Sequence, residues 1–270
     1  MTGSGGVRQA AGACLPGRGR SAYHAQIQGA SSIVDDEAAA ARYTAPERAP
    51  TYPQAELHRQ WPGAGIGGDP VFDQFYASQV QYIGSNATTQ ELNRDAGAAL
   101  LDKIGPAIIM THSAGGPFGL LVAEARPNLV KATVIIEGAV GVFTGGARWG
   151  MSTIPVTYNP PVSDPADIKV KWVANPEPDV NGYYLQEEPA RKLPNLANTA
   201  VLFVIADSSA ASPGNPGGPA FLKQAGVKIA EEYRLKDKGN TGNSHMMMMD
   251  KNNLQVADVI LKWIAGNAAK

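Results

Sequence analysis

Short apolar runs alternate along this chain with longer stretches whose apolar residues recur three and four apart. Four runs have the length and β-branched content of buried strands: residues 108–112, 131–136, 200–206 and 227–235. Between and around them the spacing is helical. Leu92, Ala96, Ala99, Leu100 and Ile104 fall on one helical face, with Thr88-Thr89-Gln90-Glu91 as a capping box before them and Gly105-Pro106 as the stop. A second helix runs from Gly116 to about Ala125 and ends before Arg126-Pro127. A third spans residues 218–225, and a short one residues 71–80. The last carries Leu254, Ala257, Ile260, Leu261 and Ile264 on one face. Apolar strands separated by helices predict an α/β fold, a mostly parallel sheet with helices on both faces.

Two regions break the alternation. Residues 22–68 are rich in Ala, Pro and Gln and read as loops and short helices, behind an irregular N-terminus over residues 1–14. Residues 139–195 show no clear sheet signal but hold Trp149, Tyr158, Trp172, Tyr183 and Tyr184 among many prolines. A structureless stretch of that length is uncommon inside a compact domain, and its aromatic content favours a lid-like or cap-like insert.

Composition narrows the partners. With 270 residues the chain is long enough for one large α/β domain. A formal net charge of −1, without a long charged block, argues against nucleic acid or an anionic membrane surface. No apolar run reaches the roughly 20 residues of a membrane span. The single Cys14 permits no internal disulfide, and four scattered histidines give no metal-ligand spacing. No Gly-rich dinucleotide fingerprint follows a strand, so neither metal nor cofactor is expected. A homo-oligomer is compatible with this sequence. The first residues lack the apolar core of a signal peptide, which makes the cytoplasm the default expectation.

The chemistry concentrates at Thr111-His112-Ser113-Ala114-Gly115-Gly116. Here an apolar strand runs into a small-residue turn holding one serine, and a helix with an early proline follows. That is a nucleophile elbow with Thr111 in the first glycine position. The turn exposes Ser113, and the Ala114 amide at the helix start faces the charge that develops on an attacked carbonyl. Among the histidines, His112 adjoins the serine and is a poor base, while His24 and His58 lie in weakly patterned sequence. His245 follows the last strand in a Gly/Asn loop, and in a parallel sheet such loops gather at the carboxyl edge beside the elbow. It is therefore the candidate base. Two carboxylates compete to orient it, Glu137 after the second strand and Asp207 after the third. The residues alone leave that choice open.

Several stretches together resemble one branch of the α/β-hydrolases: Leu15-Pro16-Gly17-Arg18-Gly19-Arg20-Ser21, the elbow through Pro117, and Arg126-Pro127-Asn128-Leu129-Val130-Lys131-Ala132. Glu188-Pro189-Ala190-Arg191-Lys192-Leu193-Pro194 and Gly242-Asn243-Ser244-His245-Met246-Met247 belong to the same set. That branch holds bacterial and fungal esterases whose acid is a glutamate after the strand that follows the elbow. The resemblance covers residues 15–270 and implies Ser113 as nucleophile, His245 as base, Glu137 as acid and Asp207 as the backup. It implies a small-molecule ester as substrate, with a non-catalytic binding module as the alternative. The family's sheet has about eight strands, and this chain opens where the fourth should end, so an N-terminally truncated α/β-hydrolase is expected. The upstream loop that supplies a second oxyanion donor is then missing, a loss worth about 10²–10³ in turnover.

Overall fold

The computed structural model describes residues 34–79, 83–138, 141–176, 180–212 and 216–268. The stretch 15–21, Cys14 and His24 lie outside them. In chain order come helices α1 (Asp36–Ala39), α2 (Pro70–Ala77) and α3 (Asn86–Ile104), then β1 (Ala107–His112), α4 (Gly116–Ala125) and β2 (Val130–Ile136). There follow β3 (Val170–Val173), β4 (Tyr183–Gln186), β5 (Ala200–Ile205), α5 (Gly217–Gln224), β6 (Ala230–Arg234) and α6 (Asn253–Asn267).

Strands β1, β2, β5 and β6 form one parallel sheet in that spatial order. The pleat sends alternate residues to opposite faces, and the burial divides accordingly. Ile135, Val201 and Phe203 enter one core with Leu101 of α3, Leu120 and Val122 of α4, and Phe221 and Leu222 of α5. Ala132, Val134, Ala200, Leu202 and Val204 enter a second core with Val256, Ile260 and Trp263 of α6. The inner strands β2 and β5 are thus covered on both faces, which explains why these two read as nearly continuous apolar runs.

Helix α3 forms where expected but starts and faces differently. Its cap is Ser85, whose hydroxyl accepts the Thr88 N–H; Thr88 lies inside the helix. The side turned to the core carries Gly97, Ala98 and Leu101, whereas Leu92, Leu100 and Ile104 are exposed. Close helix packing is the reason. A Cβ on Gly97 would come within 2.5 Å of Val122 Cγ2 on α4, so small residues define the contact face. On α6 the buried positions are Val256, Ile260 and Trp263, while Leu254 and Leu261 are 79% and 57% exposed. On β1, at the end of the sheet, Ile108 and Met110 are exposed too.

The segment between β2 and β5 also departs from expectation, because it contains sheet. Strands β3 and β4 pair antiparallel, setting Trp172 against Tyr184 edge to face at 5.0 Å. Four-residue strands are too short to leave a periodic signal. Trp149, Met151, Tyr158 and Ile168 of this segment are buried in the α4/α5 core.

The residues before α3 form a third cluster. Tyr43, Trp61, Phe72 and Phe75 pack together and against Met246, beside the candidate base. This cover is tied to the loop after β6: Arg59 N–H donates to Gly242 O, Lys251 N–H to Gln60 O, and the Gln60 amide to Thr241 O. The buried His58 spans the same seam. Its Nδ1 lies 2.7 Å from Glu47 Oε2, and its Nε2 lies 3.8 Å from Asp250 Oδ1, an ion-pair rather than a hydrogen-bond separation. Burial alone would lower the pKa of His58; the two carboxylates outweigh it and raise the pKa above the ordinary 6.5.

Two predictions test this framework. A Cβ on Gly119 would lie 2.5 Å from Thr133 Cγ2, at the seam of α4 with β1 and β2. Gly119→Ala should therefore cost about 1–3 kcal/mol of overpacking, read as a lowered melting temperature. For His58, a raised folded pKa means stabilisation that is complete below about pH 6.5 and declines as pH rises through the folded value. His58→Gln should thus lose about 1–3 kcal/mol relative to the parent chain near pH 6 and less near pH 9, measured by urea melts at both.

Candidate active site

The strand order decides where the site lies. All four strands of the parallel sheet end at the same edge, where Ser113 follows β1, Glu137 follows β2 and Asp207 follows β5. The segment after β6 carries His245 to that edge. Strands lie about 4.8 Å apart, so this segment must cross roughly 14 Å to return from β6 to β1. Interactions of β5's terminus hold it on the way. Asp207 Oδ2 accepts the Gly242 N–H at 3.1 Å, and the Ser208 N–H and hydroxyl both donate to Asn243 O. Beyond that point Asn243 and Asp250 close the loop by a side-chain hydrogen bond of 2.9 Å.

Ser113 sits in a short 3-10 turn, Ser113–Gly115, between β1 and α4. Its φ is +54°, a left-handed conformation that costs a non-glycine residue about 1–3 kcal/mol. Thr111 stands in the first small position, and a Cβ added at Gly115 would lie 3.9 Å from Thr111 Cβ, ordinary van der Waals contact. Glu137 is strained in the same sense, with φ +48°, and is buried. Its N–H donates to Val204 O, and its Oε1 accepts the Ala206 N–H at 2.7 Å, so β5 fixes both main chain and side chain.

His245 joins the two. Its Nδ1 lies 3.2 Å from Glu137 Oε2 and its Nε2 lies 2.8 Å from Ser113 Oγ. A carboxylate only accepts, so the proton belongs on Nδ1. Nε2 is then free to accept from the serine hydroxyl. Glu137, not Asp207, reaches the imidazole. Asp207 is also buried, but it bonds the loop's main chain, and its Oδ1 has no hydrogen-bond partner. Ala114, immediately after Ser113, lies in the same turn at the start of α4, the positive end of a ten-residue helix.

Three further residues stand at the site: Tyr43 and Tyr52, which carry no signal in the linear sequence, and His112, whose place in the elbow is legible but whose contacts are not. The Tyr43 ring lies 5.7 Å from the His245 ring. Tyr52 donates its hydroxyl to Ser208 O; burial first, then the charges of Glu137 and Glu47, push its pKa up to about 12. His112 turns toward the His245 loop, its Nε2 2.7 Å from His245 O and its ring 4.6 Å from the His245 ring. Burial, and then the neighbouring His245, lower its pKa to about 3. Contacts between segments some 130 to 200 residues apart are invisible to spacing arguments. Among the described residues no three His, Cys, Asp or Glu side chains group as metal ligands, and no helix is long and apolar enough to cross a membrane.

No family model matches the chain. It is 43% identical over 221 residues to phiG, a probable secreted lipase of a fungal species, covering 79% of this chain and 60% of that protein. It is 32% identical over 112 residues to the lipase LipV of Mycobacterium tuberculosis, covering 41% of this chain and 42% of the relative. A solved structure described as a novel bacterial esterase superposes with a TM-score of 0.51 at 22% identity, over 88% of this chain and 59% of that one. The chain therefore spans about three-fifths or less of the length of each of these three proteins. The fungal relative's name as a probable secreted lipase corrects the cytoplasmic expectation, which rested only on the composition of the first residues. The lack of a recognisable address in one segment carries no compartment with it. The parallel sheet, the strained serine after β1 and the structural match together give the chain an α/β-hydrolase fold, and in sequence it is similar to two proteins named as lipases.

Proposed function

We propose that the chain is a serine-dependent carboxylic ester hydrolase acting through Ser113, His245 and Glu137. One observation carries the reading: His245 stands between a strained serine hydroxyl and a buried carboxylate, within hydrogen-bonding distance of both. The fungal and mycobacterial relatives, both named lipases, support the same substrate class.

In this reading Ser113 Oγ attacks the ester carbonyl while His245 Nε2 takes the hydroxyl proton. Glu137 stabilises the imidazolium that forms, and the Ala114 N–H donates to the oxyanion. Collapse of the tetrahedral species returns the proton from Nε2 to the departing alkoxide and leaves an acyl-serine. Water, deprotonated by the same nitrogen, then releases the carboxylic acid and restores Ser113. The substrate is a small-molecule ester. The strain at Ser113 and Glu137 is held in the resting state, so neither group moves far to react.

Two measurements test it. Hydrolysis of a short-chain p-nitrophenyl ester should fall about 10³-fold or more in Ser113→Ala, which should also lose labelling by a fluorophosphonate. Full activity in that variant refutes the assignment. The acids are separated by comparing Glu137→Gln with Asp207→Asn. The first removes the charge facing the imidazole and should cut kcat about 10²-fold or more. The second keeps an oxygen for the Gly242 N–H and should cost about tenfold or less. The reverse ranking would make Asp207 the acid.

A further inference from the structure

We infer that His112 is a positioning residue for the base, its ring N–H gripping the main-chain carbonyl of His245 and its ring bracing the His245 imidazole. The inference rests on the hydrolase reading above and adds a residue to it. His112 Nε2 lies 2.7 Å from His245 O, and a carbonyl can only accept, so the ring carries its proton on Nε2. Nδ1 is then a lone-pair nitrogen, buried and without a hydrogen-bond partner. The two ring centroids are 4.6 Å apart with the planes tilted by 47°. The ring lies at the last position of β1 and Ser113 is the next residue, so nucleophile and base are tied through adjacent residues of one strand end.

The other anchors of the loop act at a distance from the imidazole. Asp207 and Ser208 hold Gly242 and Asn243, and Asp250 holds the Asn243 side chain and the Ser244 N–H. At His245 itself, Glu137 and Ser113 hold the imidazole, and the main chain is held by His112. Two features make histidine the fitting residue. Its planar ring reaches the carbonyl from a strand end, and its depressed basicity keeps a second positive charge away from the imidazolium that His245 becomes during turnover. A lysine would supply the donor and the unwanted charge together.

The test combines kinetics with the histidine ring signals of the full 270-residue chain. His112→Leu removes the donor, and His112→Gln keeps an N–H at nearly the same reach. For a p-nitrophenyl ester, kcat should fall about tenfold or more in the Leu variant with KM changed less than about twofold, because only the geometry of proton transfer is disturbed. The Gln variant should recover to within about threefold of the parent chain. In nitrogen-resolved NMR of the unmutated protein, His112 should remain an Nε2–H neutral ring from about pH 5 to 9. Unchanged kcat in the Leu variant, no recovery in the Gln variant, or a titrating or Nδ1–H His112 each overturns the role. The NMR arm decides even where a substitution prevents folding. A parent chain that hydrolyses no ester overturns the hydrolase reading and this role with it, whereas an active parent with an indifferent Leu variant overturns this role alone.

Discussion

Everything at the site hangs on the Glu137 carboxylate. Its residue follows β2, its N–H donates to Val204 of β5, one carboxylate oxygen accepts the Ala206 N–H just past β5, and the remaining oxygen faces His245. A buried charge is tolerated only when its lone pairs are filled, so the sheet and the imidazole together meet that requirement. The sheet fixes the carboxylate, the carboxylate fixes the ring's tautomer, and the tautomer points a bare nitrogen at Ser113. The left-handed backbones of Ser113 and Glu137 cost energy that the packed cores on either side of the sheet offset.

The return path from β6 sets the second constraint. A histidine supplied from the far end of a four-stranded sheet needs support over three strand spacings, and the molecule spreads that support among Asp207, Ser208, His58 and the residues of the aromatic cover. Asp207 thereby has a use distinct from facing the imidazole. Two carboxylates at adjacent strand ends divide the work, one on the ring and one on the loop that carries it.

Much of this frame is legible in the sequence, for physical reasons that differ by element. The two inner strands, β2 and β5, are buried on both faces, so they stand out as apolar runs, while β1 stands out by its β-branched content. The strand-turn-helix around Ser113 needs small residues at fixed offsets, so it reads locally. Strand-end positions also bring Ser113, Glu137 and the His245 loop to one edge. What stays hidden depends on pairing across sequence. The residues did not decide between Glu137 and Asp207, because both end strands; only the loop's path separates them. Tyr43, Tyr52 and His58 sit in a segment without periodicity, held by contacts to the loop after β6. The β3–β4 hairpin is too short to leave a period. The core face of α3 stays hidden because that helix has two apolar sides and close packing at Gly97 and Ala98 outweighs bulk at Leu92 and Leu100, while on α6 Ile260 and Ile264 face the core as the spacing predicts and Leu254 and Leu261 do not.

Those second apolar sides have a consequence for how the chain behaves in solution. Leu92, Leu100 and Ile104 on α3, Ile108 and Met110 on β1, and Leu254 and Leu261 on α6 are all exposed among the described residues, and all lie on the end strand of the sheet or on helices beside its two faces. Along β1, the main-chain N–H and C=O groups on the side away from β2 have no strand partner among those residues. A strand edge unpaired among the described residues and flanked by apolar side chains is a template for extended polypeptide, and a net charge near zero supplies little repulsion. Concentration, detergent and added acidic residues along β1 are therefore handles on the solubility of the purified chain.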